Sequence, residues 1–152
     1  MQSLIRKIGW FGIVLNFIVV ALYFNTLPDE IPRHFNAAGE PDAYGTKYTL
    51  FLLPTIGLLL YMFINSLSYK PQIFNYAVKI TEENKDTQYD IAVNMVLLLN
   101  LTISLLFLYI NISMIMIGMG KWKNLGNWFM PVLLIVIFGN IGWSIYQSKK
   151  KA

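Results

Sequence analysis

Four long apolar runs without a charged side chain alternate with shorter polar stretches along the chain. They are Ile8–Phe24, Tyr48–Tyr69, Ile91–Gly120 and Asn124–Ser148. A helix rises about 1.5 Å per residue, so about 20 apolar residues cross a hydrocarbon core of about 30 Å. The pattern therefore predicts an all-α integral membrane protein with one domain over residues 1–152. Its four transmembrane helices are expected at about residues 8–24, 48–69, 81–118 and 124–147.

Composition supports a membrane protein. Of 152 residues, 56% are hydrophobic and 13% are charged, whereas soluble domains carry about 25% charged residues. The first apolar run follows Arg6 and Lys7 but lacks a small-residue cleavage site, so we expect a retained helix rather than a signal peptide. The absence of cysteine excludes disulfides and thiolate metal sites.

The distribution of Lys and Arg predicts the orientation. Eight of the twelve lie in the N-terminal segment, the second loop (residues 70–90) and the C-terminal tail, and four lie in the first and third loops. Because positively charged flanks stay in the cytoplasm, we expect both termini and the second loop to be cytoplasmic and the first loop (residues 25–47) to be external. These flanks account for the net charge of +4, so no direct nucleic-acid partner is expected.

Polar residues inside the third window fall on one helical stripe. Asn100, Ser104 and Asn111 are spaced i, i+4 and i+11, which is close to whole turns of a helix. An amide in hydrocarbon needs a partner. The stripe should therefore face other helices, where it either stabilises their packing through hydrogen bonds or forms a polar track for a substrate.

Two glycine pairs offer candidate helix contacts. Gly9 with Gly12 lies in the first window, and Gly139 with Gly142 lies in the fourth. Small residues let transmembrane helices approach closely, so we expect neighbouring helices at both pairs.

The third helix is expected to begin in the cytoplasm. Thr81 is a candidate N-cap, and acidic residues follow where the helix dipole favours them. A helix from Thr81 to Gly118 would be about 57 Å long, so it should project beyond the bilayer. Glu82, Glu83 and Lys85 would then form a docking surface for a cytoplasmic partner, or a solvated anchor.

The first loop lies between two charge-free segments and is rich in proline and in ionisable side chains. It holds three prolines, the sole histidine and four acidic residues. Prolines and the Gly39–Asp42 segment predict turns, so the loop is expected to be an ordered lid or a binding surface for an external ligand. The residues assigned to this lid or ligand site are Pro28, Pro32, Arg33, His34, Phe35, Asn36, Gly39, Glu40, Pro41 and Asp42.

A metal site in the same loop is a third interpretation. His34, Glu40 and Asp42 are metal-ligand types within a short span, although nothing in their spacing places them on one face. Other catalytic signatures are absent, since no serine lies near His34 and no metalloprotease or phosphate-binding motif occurs. No acidic, basic or histidine side chain lies within a window, which disfavours a proton relay. We expect no enzymatic activity, no catalytic residue and no cofactor.

The loop resembles that of a known family. Leu27-Pro28-x-x-Ile31-Pro32-x-His34-Phe35-Asn36-x-x-Gly39-x-Pro41-Asp42, followed by Lys47 and Pro54, is similar to the extracellular loop of SdpI-type immunity proteins. The segment Asn75–Asn84 also looks like a stretch found in short relatives. The resemblance covers roughly the first 85 to 90 residues.

The resemblance implies a small multi-pass protein of the bacterial inner membrane. The namesake members protect a cell from a secreted toxic peptide and hold an autorepressor at the membrane when the peptide is sensed. Fuller members have further helices after the fourth, which this chain is expected to lack. The resemblance therefore predicts three partners: the lipid bilayer, an extracellular peptide and a cytoplasmic repressor. The alternatives from other classes are a loop-based metal-dependent enzyme and an accessory subunit of another membrane complex.

Overall fold

Four α-helices account for most of the chain in the computed structural model, which describes residues 1–152. They are α1 (Gln2–Tyr23), α2 (Leu52–Leu67), α3 (Lys85–Gly118) and α4 (Phe129–Lys150). Together with adjoining short 3₁₀ turns, all four are long and apolar enough to cross a membrane. The protein is mostly helical as predicted, and these helices suggest a multi-pass membrane protein.

The third and fourth helices begin later than the sequence predicts. Asn84 N donates to Thr81 Oγ1 (3.3 Å), and Thr81 N donates to Asn84 Oδ1 (2.9 Å). This reciprocal pair closes a separate turn, so α3 begins at Lys85 and Thr81 is not its N-cap. Similarly, Gly126 has a φ of +87°, a left-handed conformation that a helix cannot include. Helix α4 therefore begins at Phe129 rather than near residue 124.

The polar stripe of α3 is buried between helices, as predicted. Asn100, Ser104 and Asn111 are each at most 1% exposed. Asn111 Nδ2 donates to Asn16 Oδ1 of α1 (2.7 Å) and to the carbonyl of Leu50 just before α2 (3.0 Å). One side chain thus connects three parts of the chain. We call the buried polar side chains Asn16, Asn100, Ser104 and Asn111 the polar seam.

Close packing accompanies the polar seam on α1. Ser104 Oγ donates to the carbonyl of Gly9 (2.9 Å), and Asn100 Nδ2 donates to the carbonyl of Tyr61 on α2 (3.1 Å). A Cβ on Gly9 would lie 2.5 Å from the Tyr61 ring, and one on Gly12 would lie 2.6 Å from Ser104 Oγ. The prediction of close approach is confirmed for this pair, because a larger residue at either glycine would displace Tyr61 or Ser104.

The glycines of α4 behave differently. A Cβ on Gly139 or Gly142 would meet nothing within 4 Å, so the predicted helix contact at this pair is wrong. Helix α3 is the only helix against which α4 packs extensively. Only 6% of the most apolar stretch of α4 is buried, compared with 28% for α3. The spacing of two glycines shows that small residues share one side of a helix, but it does not show whether that side faces another helix.

The loop between α1 and α2 contains a two-stranded antiparallel sheet, which an all-α prediction does not include. Strand β1 (Glu30–Phe35) pairs with β2 (Pro41–Thr46), with register irregularities around His34. We call residues 30–46 the hairpin. Isolated two-stranded hairpins are marginally stable, and this one is anchored by Leu27 and Ile31, which are 5% and 0% exposed. A Cβ on Gly118 would lie 2.9 Å from Ile31 Cγ2, so the hairpin rests on the C-terminal end of α3.

Candidate functional site beneath the hairpin

Asn36 organises the turn that joins the two strands. Its Oδ1 accepts hydrogen bonds from the backbone N–H groups of Ala38 (2.9 Å) and Glu40 (3.0 Å). Gly39 has a φ of +79°, a conformation that L-residues rarely adopt. The carbonyl of Gly39 accepts from Leu125 N (2.8 Å). The tip of the hairpin is therefore tied to the connection between α3 and α4.

The base of the hairpin is held by Lys47. Its Nζ lies 3.1 Å from Asp29 Oδ1 and donates to the carbonyl of Leu27 (3.3 Å). The backbone N–H of Lys47 also donates to the carbonyl of Asp29 (2.9 Å). These bonds join the two ends of the loop, so the hairpin is fixed at both its base and its tip.

The charged residues of the predicted lid play unequal roles. His34 Nδ1 donates to Asp42 Oδ1 (2.6 Å) across the strands, with the two side chains 69% and 41% exposed. Glu40 Oε2 instead accepts from Asn36 Nδ2 (3.2 Å). Arg33 is also among the predicted lid or ligand-site residues, but its side chain forms neither an ion pair nor a hydrogen bond. Its stem lies over Gly45, where a Cβ would come within 2.8 Å of Arg33 Cδ.

The structure brings together only two of the three candidate metal ligands. His34 and Asp42 are in direct contact, whereas Glu40 is bonded to Asn36. No group of three or more His, Asp or Glu side chains is placed to hold a metal ion. Two side-chain ligands on an exposed hairpin leave most of a coordination sphere to solvent.

A cleft lies beneath the hairpin, between the N-terminal ends of α2 and α4 and over one face of α3. Its volume is about 440 Å³, within the range of roughly 300–1,000 Å³ typical of ligand sites. We call it the hairpin cleft. It is lined by Arg33, His34, Phe35, Asn36, Thr49, Leu52, Leu53, Ile56, Ile110, Met114, Leu125, Phe129 and Met130.

The lining of the hairpin cleft is polar at one end and apolar at the other. Its polar residues come from the hairpin and from Thr49, just before α2, while the helices contribute aliphatic, aromatic and methionine side chains. Among the other predicted loop residues, Pro32 is buried, Pro41 pairs with Phe35 in the sheet, and Pro28 is exposed. The cleft can therefore receive an amphipathic molecule.

The opposite end of the molecule carries the predicted partner-binding residues. Glu82 and Lys85 form an exposed ion pair of 2.5 Å, and Glu83 is exposed. Burial raises the pKa of Tyr76 to about 12, and its hydroxyl donates to the carbonyl of Pro71 (2.7 Å). This end thus has an ordered segment preceding α3 and a charged first turn.

Sequence reasoning missed Gln88 and the helical walls of the hairpin cleft. Gln88 is 1% exposed, and its Nε2 donates to the carbonyls of Ser148 (3.0 Å) and Lys151 (2.9 Å) at the end of α4. The sequence offered only a weak indication that Gln88 is buried, namely that it is uncharged while nearby residues are charged. The apolar walls offered none, because aliphatic residues facing a cleft look the same in sequence as those facing lipid.

Comparisons with known proteins identify relatives without a described activity. Residues 11–58 match a protein family described as a domain of unknown function, DUF1648. That stretch includes most of α1, the hairpin and the first turns of α2. An uncharacterized protein of Archaeoglobus fulgidus is 30% identical over 109 residues, which cover 62% of this chain and 60% of that protein. No solved structure matches the chain.

Proposed function

We propose that this protein is a sensing or immunity protein of the bacterial cytoplasmic membrane. In this proposal the hairpin recognises a membrane-active peptide outside the cell, and α3 passes the event to a cytoplasmic regulator. The resemblance of the loop motif to SdpI-type immunity proteins supports the immunity role. The match of residues 11–58 to DUF1648 covers the same α1, hairpin and α2 unit.

The observation that carries the proposal is the continuity of α3. The helix has 34 residues, so it is about 51 Å long and exceeds the hydrocarbon core by about 20 Å. One end supports the hairpin through Ile31 and Gly118, and the other begins beside the exposed Glu82–Lys85 pair. A ligand that displaces the hairpin can thereby act on the far end of a single rigid element.

The proposed orientation is tested by single-cysteine labelling, which is simple because the chain has no cysteine. Ala38→Cys lies in the hairpin turn and Asn84→Cys precedes α3. In intact cells an impermeant maleimide should label the first variant and not the second. Permeabilised cells provide the control, since both variants should then react. Labelling of Asn84→Cys alone in intact cells would reverse the orientation.

The proposed function is tested by survival of bacteria that express the protein during exposure to membrane-active peptides. Arg33→Ala, Phe35→Ala or Asp42→Ala should reduce protection without lowering abundance. Glu82→Ala, Glu83→Ala or Lys85→Ala should preserve protection and change only the transcription of a regulated reporter. If deletion of the gene alters neither survival nor transcription of neighbouring genes, the proposal fails.

The accessory-subunit alternative is favoured by one observation. Most of α4 is exposed in the monomer, including the face around Gly139 and Gly142. A subunit role predicts that the protein purifies in stable stoichiometric association with another membrane complex in mild detergent. The sensing role predicts that it purifies without one.

A further inference from the structure

We propose that the hairpin cleft binds one anionic phospholipid, with an acyl chain between α2 and α4 and the phosphate at Arg33. This binding site would exist whether or not the protein senses a peptide.

The shape of the hairpin cleft matches a ligand that enters from the bilayer. Helix α4 packs on α3 and has no comparable packing against α2, so the space between α2 and α4 is open along the membrane. Leu52 and Ile56 on the α2 side are about half exposed, whereas Met114 at the floor is buried. The floor of the cleft is therefore buried in the protein, whereas its wall on the α2 side is accessible to lipid.

The charge of the hairpin cleft favours an anion. Arg33 is the only permanently charged residue in its lining, and it has no carboxylate partner in the protein. The other polar side chains are already engaged: His34 pairs with Asp42, Thr49 Oγ1 donates to a backbone carbonyl (2.9 Å), and Asn36 bonds within the turn. A guanidinium matches the geometry of a phosphate group through paired hydrogen bonds.

An acyl chain fits the hairpin cleft better than a peptide does. Below the hairpin the walls are formed only by apolar side chains, so an extended peptide would leave backbone N–H and C=O groups without partners. A helix satisfies its own backbone but is about 10 Å wide, so a cleft that is open on one side would cover one face of it only. A hydrocarbon chain has no polar group to satisfy.

Native mass spectrometry of the full chain in nanodiscs tests the proposal. Nanodiscs containing equal amounts of dioleoyl phosphatidylglycerol and dioleoyl phosphatidylcholine supply an anionic and a neutral headgroup with identical chains. We expect one phosphatidylglycerol to remain on each wild-type chain after release from the nanodisc. Arg33→Ala should retain it about tenfold less, because a hydrogen-bonded pair with a charged group is lost.

Matched variants separate the hairpin cleft from general surface effects. Lys123→Ala removes a positive charge from the α3–α4 connection, outside the cleft lining, and should retain the lipid. Ile56→Trp fills the cleft and should expel the lipid, whereas Leu59→Trp adds the same bulk on an exposed part of α2 and should not. All variants should elute with the wild type on size exclusion, which shows that they are folded.

Three results would overturn the proposal. The first is equal retention of the two lipids by the wild type. The second is equal loss of phosphatidylglycerol in Arg33→Ala and Lys123→Ala. The third is unchanged lipid retention by Ile56→Trp, and a simultaneous loss of protection against peptides would assign the cleft to the peptide. Loss of lipid from Ile56→Trp with protection intact would support lipid binding and separate it from the sensing role.

Discussion

The polar seam and the hairpin cleft use adjoining stripes of α3 and are built in opposite ways. In the seam, side-chain amides and hydroxyls bond to backbone carbonyls of other elements, and glycines bring the helices into contact. In the cleft, α2 and α4 remain apart, and the one permanent charge has no partner. The contrast indicates that buried polar bonds and close packing tie α1, α2 and α3 together, while the space between α2 and α4 stays open.

The largest difference between the two regions should appear when glycines are enlarged. Gly9→Leu would force a side chain into the Tyr61 ring, and overpacking typically costs about 1–3 kcal/mol or more. A Cβ on Gly139 would meet nothing within 4 Å, so Gly139→Leu should not lower stability. Thermal unfolding in detergent, followed by size exclusion, compares the two variants. Equal destabilisation would show that α4 is packed as tightly as α1.

A smaller difference is expected for asparagines in the two regions. Asn111→Ala removes bonds to Asn16 and Leu50 and should cost about 1–2 kcal/mol, the upper range for polar contacts between transmembrane helices. Asn140 donates one bond, to the carbonyl of Met95 (3.0 Å) across α3 and α4. Asn140→Ala should cost about 0.6 kcal/mol. Titration with a denaturing detergent measures both, and a larger loss for Asn140→Ala would reverse the assignment of the seam as the stabilising region.

The smallest effect is expected from the ion pair on the hairpin. His34 and Asp42 are largely exposed, and exposed pairs contribute at most about 1 kcal/mol. In a double-mutant cycle, His34→Ala and Asp42→Ala should therefore show a coupling energy below about 1 kcal/mol. The rate of proteolysis within residues 36–40 reports on loosening of the turn. Complete cleavage of His34→Ala under conditions that spare the wild type would show that this pair, rather than Ile31, anchors the hairpin.

The spans and the polar seam could be predicted because each follows a simple rule. Charge-free windows of sufficient length predict the four helices, and the i, i+4, i+11 spacing places Asn100, Ser104 and Asn111 on one buried face. The ordered loop could also be predicted from its prolines and Gly39. In each case the local sequence contains the physical cause.

The hairpin and the hairpin cleft could not be predicted in this way. Pro32 and Pro41 disfavour strands in general, but both strands of a two-stranded sheet are edges, so a missing N–H is tolerated. The cleft depends on the separation of α2 and α4, which no local periodicity encodes. Gly139 and Gly142 show the same limit, because their spacing is compatible with both a helix interface and a lipid-facing surface.

The docking of the hairpin on α3 is the central claim, and a disulfide between the two elements tests it most directly. A Cβ on Gly118 would lie 3.6 Å from Ile31 Cβ, within the range of about 3.5–4.5 Å that a disulfide requires. In membranes, Ile31→Cys with Gly118→Cys should cross-link nearly completely under mild oxidation, seen when the oxidised protein is denatured and then loses maleimide labelling that returns on reduction. Gly118→Cys paired with Ala38→Cys, in the distant turn, provides the control and should stay reduced. Full labelling of the Ile31 and Gly118 pair after oxidation would contradict the docked hairpin and, with it, the hairpin cleft.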